Sequence, residues 1–173
     1  MVFSLGMNRD VSVAGRVASP PILKGTSMVN FGGLAAEMDF DFVVDTADRV
    51  EVIMPITPRV TQPFGFVHGG VTIALLESAA SRAAEHRANL ETERPFGIEA
   101  NIRHWKSGKQ GSVRGVAEFD HEEGNTQFWN VTAYDDEGDV MSSGTFKTKI
   151  VTLERLAEKE RKRAEAKAAA QNA

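Results

Sequence analysis

The 173-residue chain contains no cysteine. That absence excludes a disulfide framework, thiolate metal ligation, iron–sulfur clusters and a cysteine nucleophile. Long apolar runs are missing too, and none approaches the roughly 18 residues of a membrane span. The N-terminal MVFSLGMNRD lacks the charged start and extended apolar stretch of a secretory signal. These absences give the expectation of a cytoplasmic protein with no membrane association. Four histidines (His68, His86, His104 and His121) show no paired ligand spacing, and HExxH is missing, so no metal site is expected. An excess of positive charge is also lacking. The net charge is −4, and the stretch from Thr152 onward holds six basic and four acidic side chains. This leaves fourteen basic against twenty acidic residues, a net of −6, on the rest. Such a body has no broad cationic footprint for nucleic acid.

What is present is ordinary for a globular chain: 42% apolar and 25% charged residues. The length suits one domain, since domains run to about 100–200 residues. Residues 1–37 are weakly patterned, with Ser19-Pro20-Pro21 and Gly32-Gly33, and read as an arm with a short helix near Asn30–Glu37. From Met38 the pattern sharpens. Phe40, Phe42 and Val44 alternate with Asp39, Asp41 and Val43, and Val50, Val52, Met54 and Ile56 alternate in turn. The polar link Thr46-Ala47-Asp48 makes these two strands a hairpin.

Prolines 55, 58 and 63 keep the next stretch irregular up to Gly69-Gly70. VTIALLESAASRAAEHRANL follows with no proline or glycine, and Val71, Ala74, Leu75 and Ala79 at helical spacing. About five turns are predicted, with small residues that let the helix lie close to a sheet. Four strand patterns come next: Phe96–Trp105 with Ile98, Ala100 and Ile102 on one face, Gly111–Asp120, Thr126–Tyr134 and Val140–Val151. The order β-β-α-β-β-β-β predicts an α+β fold, an antiparallel sheet packed on one long helix. Three segments are expected: an arm at 1–37, the folded domain at 38–151 and a charged helical tail at 152–173. The tail has few large apolar residues, so a solvated helix is expected there.

Chemistry concentrates around His68-Gly69-Gly70. Glycines there permit close approach of a ligand to the backbone. The first N–H groups of a helix lack intrahelical acceptors and carry partial positive charge, which suits a carbonyl oxygen gaining negative charge. The alternative is a turn that only reverses the chain. Glu77 lies two turns into an otherwise apolar segment, with Ser81 one turn later and able to orient it. The alternative is an exposed polar stripe shared with Glu85. Gln62, six residues before His68, could hold a carbonyl or a water, although a loop glutamine is commonly just solvated.

Together, Gln62-x5-His68-Gly69-Gly70-x6-Glu77-x3-Ser81 resembles the hotdog-fold acyl-CoA thioesterases. It is closest to the 4-hydroxybenzoyl-CoA, dihydroxynaphthoyl-CoA and phenylacetate-pathway type. TQPFGFVHGGVTIALLESAAS carries the likeness, supported by GIEANIRHWKSGKQGSVRGVAEF and WNVTAYDDEGDVMSSGTFKTKIV. Many members have Asn before HGG and Asp in the helix, so Gln62, Glu77 and Ser81 point to the arylthioesterase-like branch. The resemblance implies a sheet wrapped round the long helix. It also implies a homodimer or homotetramer with active sites between subunits, where Gln62, His68 and Gly69 face Glu77 and Ser81 of another copy.

The implied reaction is hydrolysis of an acyl-CoA thioester, with coenzyme A as part of the substrate and no separate cofactor. Gly69 would polarise the carbonyl and Glu77 would act as nucleophile or general base. Gly70, Arg103, Lys106 and Lys109 are the candidate coenzyme A contacts, with solvated turn charges as the alternative for the last three. The family's Gly-Arg pair before the penultimate strand is replaced here by Gly124-Asn125. Two rival readings remain, a non-catalytic acyl-CoA-binding or regulatory hotdog module and a hotdog dehydratase.

Overall fold

The computed structural model describes residues 33–171. The expected arm therefore lies outside the described residues, except for a short helix α1 at Leu34–Glu37. Strands β1 (Asp41–Asp45) and β2 (Arg49–Pro55) form the expected hairpin, with the Thr46 hydroxyl donating to the Arg49 carbonyl across the turn at 2.7 Å. A 3₁₀ turn at Pro58–Val60 leads towards helix α2 (Gly69–Arg87). After it come β3 (Glu93–His104), β4 (Ser112–Glu123), β5 (Thr126–Tyr134) and β6 (Val140–Thr152), and then helix α3 (Leu153–Gln171). The six strands form one antiparallel sheet in the order β1-β2-β4-β5-β6-β3. Helix α2 lies against five of them.

Composition explains how closely the helix can lie. Its inward face is Thr72, Leu75, Leu76, Ala79, Ala80, Ala83 and Ala84, all buried. Four alanines on one face leave room for the sheet's larger groups, Trp129, Met54, Met141 and Phe146. At Gly115 of β4 the approach is tightest: a Cβ there would fall 2.9 Å from Leu75 Cγ. On β5 the alternation reads directly as burial. Gln127, Trp129, Val131 and Ala133 face the core, and Asn130 is exposed.

One strand departs from its pattern. The alternation in Phe96–Trp105 predicts Ile98, Ala100 and Ile102 on a core face. Instead β3 is an edge strand, and only Ile102 of the three packs against the core. Its register with β6 shifts between Gly97 and Glu99, so the extra residue Ile98 falls out of the alternation and is 53% exposed. The tail is helical, and none of the described α3 residues is buried.

Two polar devices tie the layers. The buried indole Nε1 of Trp129 donates to the Thr148 hydroxyl (3.0 Å), which donates to Gln127 Oε1 (3.1 Å). At the far end of α2, Arg82 grips Asp45 of β1 with both Nε and Nη2, and His86 Nε2 lies 2.6 Å from the same carboxylate. Burial pushes the Asp45 carboxyl up, but its bonds to Arg82 and His86 outweigh this and hold it below the usual aspartate range.

Thr148→Val removes the hydroxyl that serves both Trp129 and Gln127. It should cost about 1–3 kcal/mol in urea unfolding, because buried polar atoms lose their partners. The Asp45 clamp has an acid limb. With the folded pKa below the unfolded 3.8, its stabilisation is present at neutral pH and fades as pH drops below about 4. Asp45→Asn should therefore flatten the fall in stability between pH 7 and pH 3; an unchanged slope would contradict the clamp.

Candidate active site

The irregular stretch before α2 is folded into a tight loop. Gly65 N–H donates to the Gln62 carbonyl (2.9 Å) and Gln62 N–H to the Phe66 carbonyl (2.8 Å), with Gly65 at φ +79°. His68 N–H and Val67 N–H are held by the Val60 and Gly108 carbonyls. This fixes His68 as the N-cap of α2, in extended conformation.

The cap decides which amide is free. Gly70 N–H donates to His68 Nδ1 (3.0 Å), which requires that nitrogen to be unprotonated. Val71 and Thr72 N–H both reach the His68 carbonyl. Gly70, expected to contact coenzyme A, thus has its amide spent on the cap. Gly69 N–H meets no acceptor among the described residues, at the positive end of a 19-residue helix.

A cleft of about 200 Å³ opens at this point. Gly69, Gln62, Thr72, His104 and Ser142 line it. The Gln62 side chain is half-buried, and its amide has no hydrogen-bond partner among the described residues. The His104 ring lies over Gly69, with Nε2 3.0 Å from where a Gly69 Cβ would sit. His104 Nδ1 is 2.8 Å from the hydroxyl of buried Ser142. Sequence reasoning weighed His104 only as a metal ligand and passed over Ser142. The useful signal was strand alternation, which places His104 on the Ile102 side of β3, facing the helix start.

Glu77 stands elsewhere. Eight residues along a helix separate it from Gly69 by about 12 Å. Glu77 is exposed in the single chain, beside β3: a Cβ on Gly97 would come 2.9 Å from Glu77 Oε1 and 2.7 Å from Phe146 Cζ. Ser81 is half-buried one turn further on, with no hydrogen bond to Glu77. The structure therefore brings Gln62, His68 and Gly69 together and keeps Glu77 and Ser81 apart from them.

The three candidate phosphate contacts do not converge. Lys106 Nζ is bound by Asp135 and by Asp139 (2.9 Å), which hold its pKa above the ordinary lysine range. The Lys109 ammonium sits 4.3 Å from the Phe66 ring centre, and the Arg103 guanidinium 4.1 Å from that of Trp105.

Residues 64–142 match the thioesterase superfamily model. The 1,4-dihydroxy-2-naphthoyl-CoA hydrolase of Escherichia coli is 30% identical over 129 residues, covering 75% of this chain and 94% of that protein. The same-named enzyme of Listeria monocytogenes is 35% identical over 104 residues, covering 60% and 84%. Among solved structures, a Staphylococcus aureus protein superposes with a TM-score of 0.68 at 30% identity, covering 70% of this chain and all of that one. A Bacillus halodurans protein solved with CoA gives 0.62 at 26% identity, covering 68% and 75%. The chain belongs to the hotdog-fold thioesterase superfamily, and it is a thioester hydrolase of that class.

The crowding at Gly97 is directly testable. Gly97→Ala should lower stability by about 1–3 kcal/mol through overpacking against Phe146, read as a reduced urea midpoint. A variant as stable as the parent would mean that Phe146 and Glu77 are not seated against β3.

Proposed function

We propose that this chain hydrolyses acyl-CoA thioesters, with an aromatic acyl group, in clefts completed by a second copy of itself. The observation that carries the reading is the Gly69 N–H set beside the Gln62 amide in one cleft, neither with a partner among the described residues. A thioester carbonyl placed there accepts from Gly69, and the helix terminus favours the charge that develops on its oxygen. One such donor contributes about 3–4 kcal/mol of transition-state stabilisation when well aimed.

No carboxylate among the described residues lines the cleft, and Glu77 cannot come nearer along a rigid helix. An antiparallel second copy joined at the open β3 edge brings its own Glu77 to the cleft. That carboxylate either attacks the carbonyl carbon, giving a mixed anhydride that water then opens, or takes a proton from an attacking water. Either way the C–S bond breaks, the electron pair leaves with sulfur and the thiolate is protonated. Gln62 and His104, which line the cleft, would hold the carbonyl or the water, and Ser81 would steady Glu77 once a second copy completes the site.

Two relatives named 1,4-dihydroxy-2-naphthoyl-CoA hydrolase support the aromatic acyl group, and the CoA-bound neighbour supports the carrier. The Staphylococcus aureus thioesterase was solved with alanine replacing a glutamate and, separately, a glutamine fifteen residues before it. The same separation lies between Gln62 and Glu77.

Thiol release from benzoyl-CoA and hydroxynaphthoyl-CoA tests the proposal. Glu77→Gln should lower kcat by about 100-fold or more while CoA affinity stays within about twofold. Equal turnover by parent and variant would remove Glu77 from the chemistry. Binding of acyl-CoA without thiol release by the parent would leave a non-catalytic binding module.

A further inference from the structure

Three of the cations that the cleft and its reaction do not use stand together. Lys149 on β6 and Arg155 and Lys159 on α3 line a groove of about 340 Å³. None of the three has a carboxylate within ion-pair distance among the described residues. By contrast Lys106, Lys147 and Arg114 are each paired, as is Lys162 with Glu158. Arg155 and Lys159 are four residues apart and so share one face of α3, where both reach the groove. Between the cations the floor is apolar. Phe96 is 44% exposed and Ile98 53% exposed, with Val151 and Leu156 beside them. An exposed aromatic and aliphatic floor ringed by unpaired cations complements a flat heterocycle that carries several phosphates.

The position links this groove to the reacting end. Phe96 and Ile98 flank Gly97, whose crowded inner side meets Glu77 and Phe146, so the groove lies on the opposite face of β3 from that carboxylate. The neighbouring β4–β5 turn supplies no cation of its own: Asn125 is bonded both ways to Ile150, next to Lys149. We propose that the groove between α3 and the β3–β6 edge binds the 3′-phosphoadenosine diphosphate end of coenzyme A. Adenine lies on Phe96 and Ile98, and the phosphates face Lys149, Arg155 and Lys159. The assignment rests on the acyl-CoA reading and gives α3 a role in substrate affinity. Edge pairing through the β3 backbone leaves this face of the strand free.

The test uses the full chain with Arg155→Glu/Lys159→Glu, and the milder Arg155→Gln/Lys159→Gln in case charge reversal harms folding. Expected is a rise of about tenfold or more in the KM for acyl-CoA and in the Kd for CoA and 3′-phospho-ADP, since hydrogen bonds to charged groups are lost. The effect should shrink at high salt. kcat, and the rate on the acyl N-acetylcysteamine thioester, which has no nucleotide, should stay unchanged. Unaltered CoA affinity in both variants overturns the proposal. So does a change confined to the sedimentation coefficient, which would make the groove a contact between copies. If the parent hydrolyses neither thioester but binds 3′-phospho-ADP through Arg155 and Lys159, the hydrolase reading fails and the groove stands.

Discussion

The site's logic rests on the rigidity of one helix. Residues 69 and 77 of α2 are held about 12 Å apart by the rise of the backbone, and no side-chain rearrangement closes that gap. The amide at the helix start and the carboxylate beside Gly97 therefore stay apart in any one chain. Everything around α2 preserves that separation. Four buried alanines seat the rod on the sheet, the His68 cap fixes its first turn, and Arg82 with His86 clamps its last turns to Asp45.

The cap shows how a small local choice sets chemistry. A histidine that accepts from Gly70 leaves the preceding amide without a partner among the described residues. Had the N-cap side chain been aliphatic, both glycine amides would have been free and neither would have been singled out. Placement of the His104 ring over Gly69 then confines what can approach that amide, and buried Ser142 holds the ring.

Much of this was legible in the residue pattern. Alternation in Thr126–Tyr134 matches the burial of its two faces, because that strand is central and has a neighbouring strand on both sides. The helix was legible because alanine and leucine propensity agreed with its apolar spacing. Phe96–Trp105 was misread for a physical reason. An edge strand with a bulge does not have to bury its alternating residues, and periodicity carries no trace of the extra residue at Ile98. The site divided in the same way. His68, Gly69 and Gln62 are close in sequence and were found together, whereas His104 and Ser142 reach the cleft only through the β3–β6 pairing. The commitments of Lys106 to Asp135 and Asp139 were equally invisible, since partners some thirty residues away meet only after the sheet has formed.

The two margins of the sheet are unequal. On one side β3 presents twelve residues, while on the other β1 has only five, distorted between Phe42 and Val44, with α1 bonded beside it through Phe40. Among the described strands only β3 offers a long flank for lateral extension, so a pairing made there uses up the capacity for another. If two copies pair along β3, the pair is a finite particle with no second long edge from which a fibre could propagate.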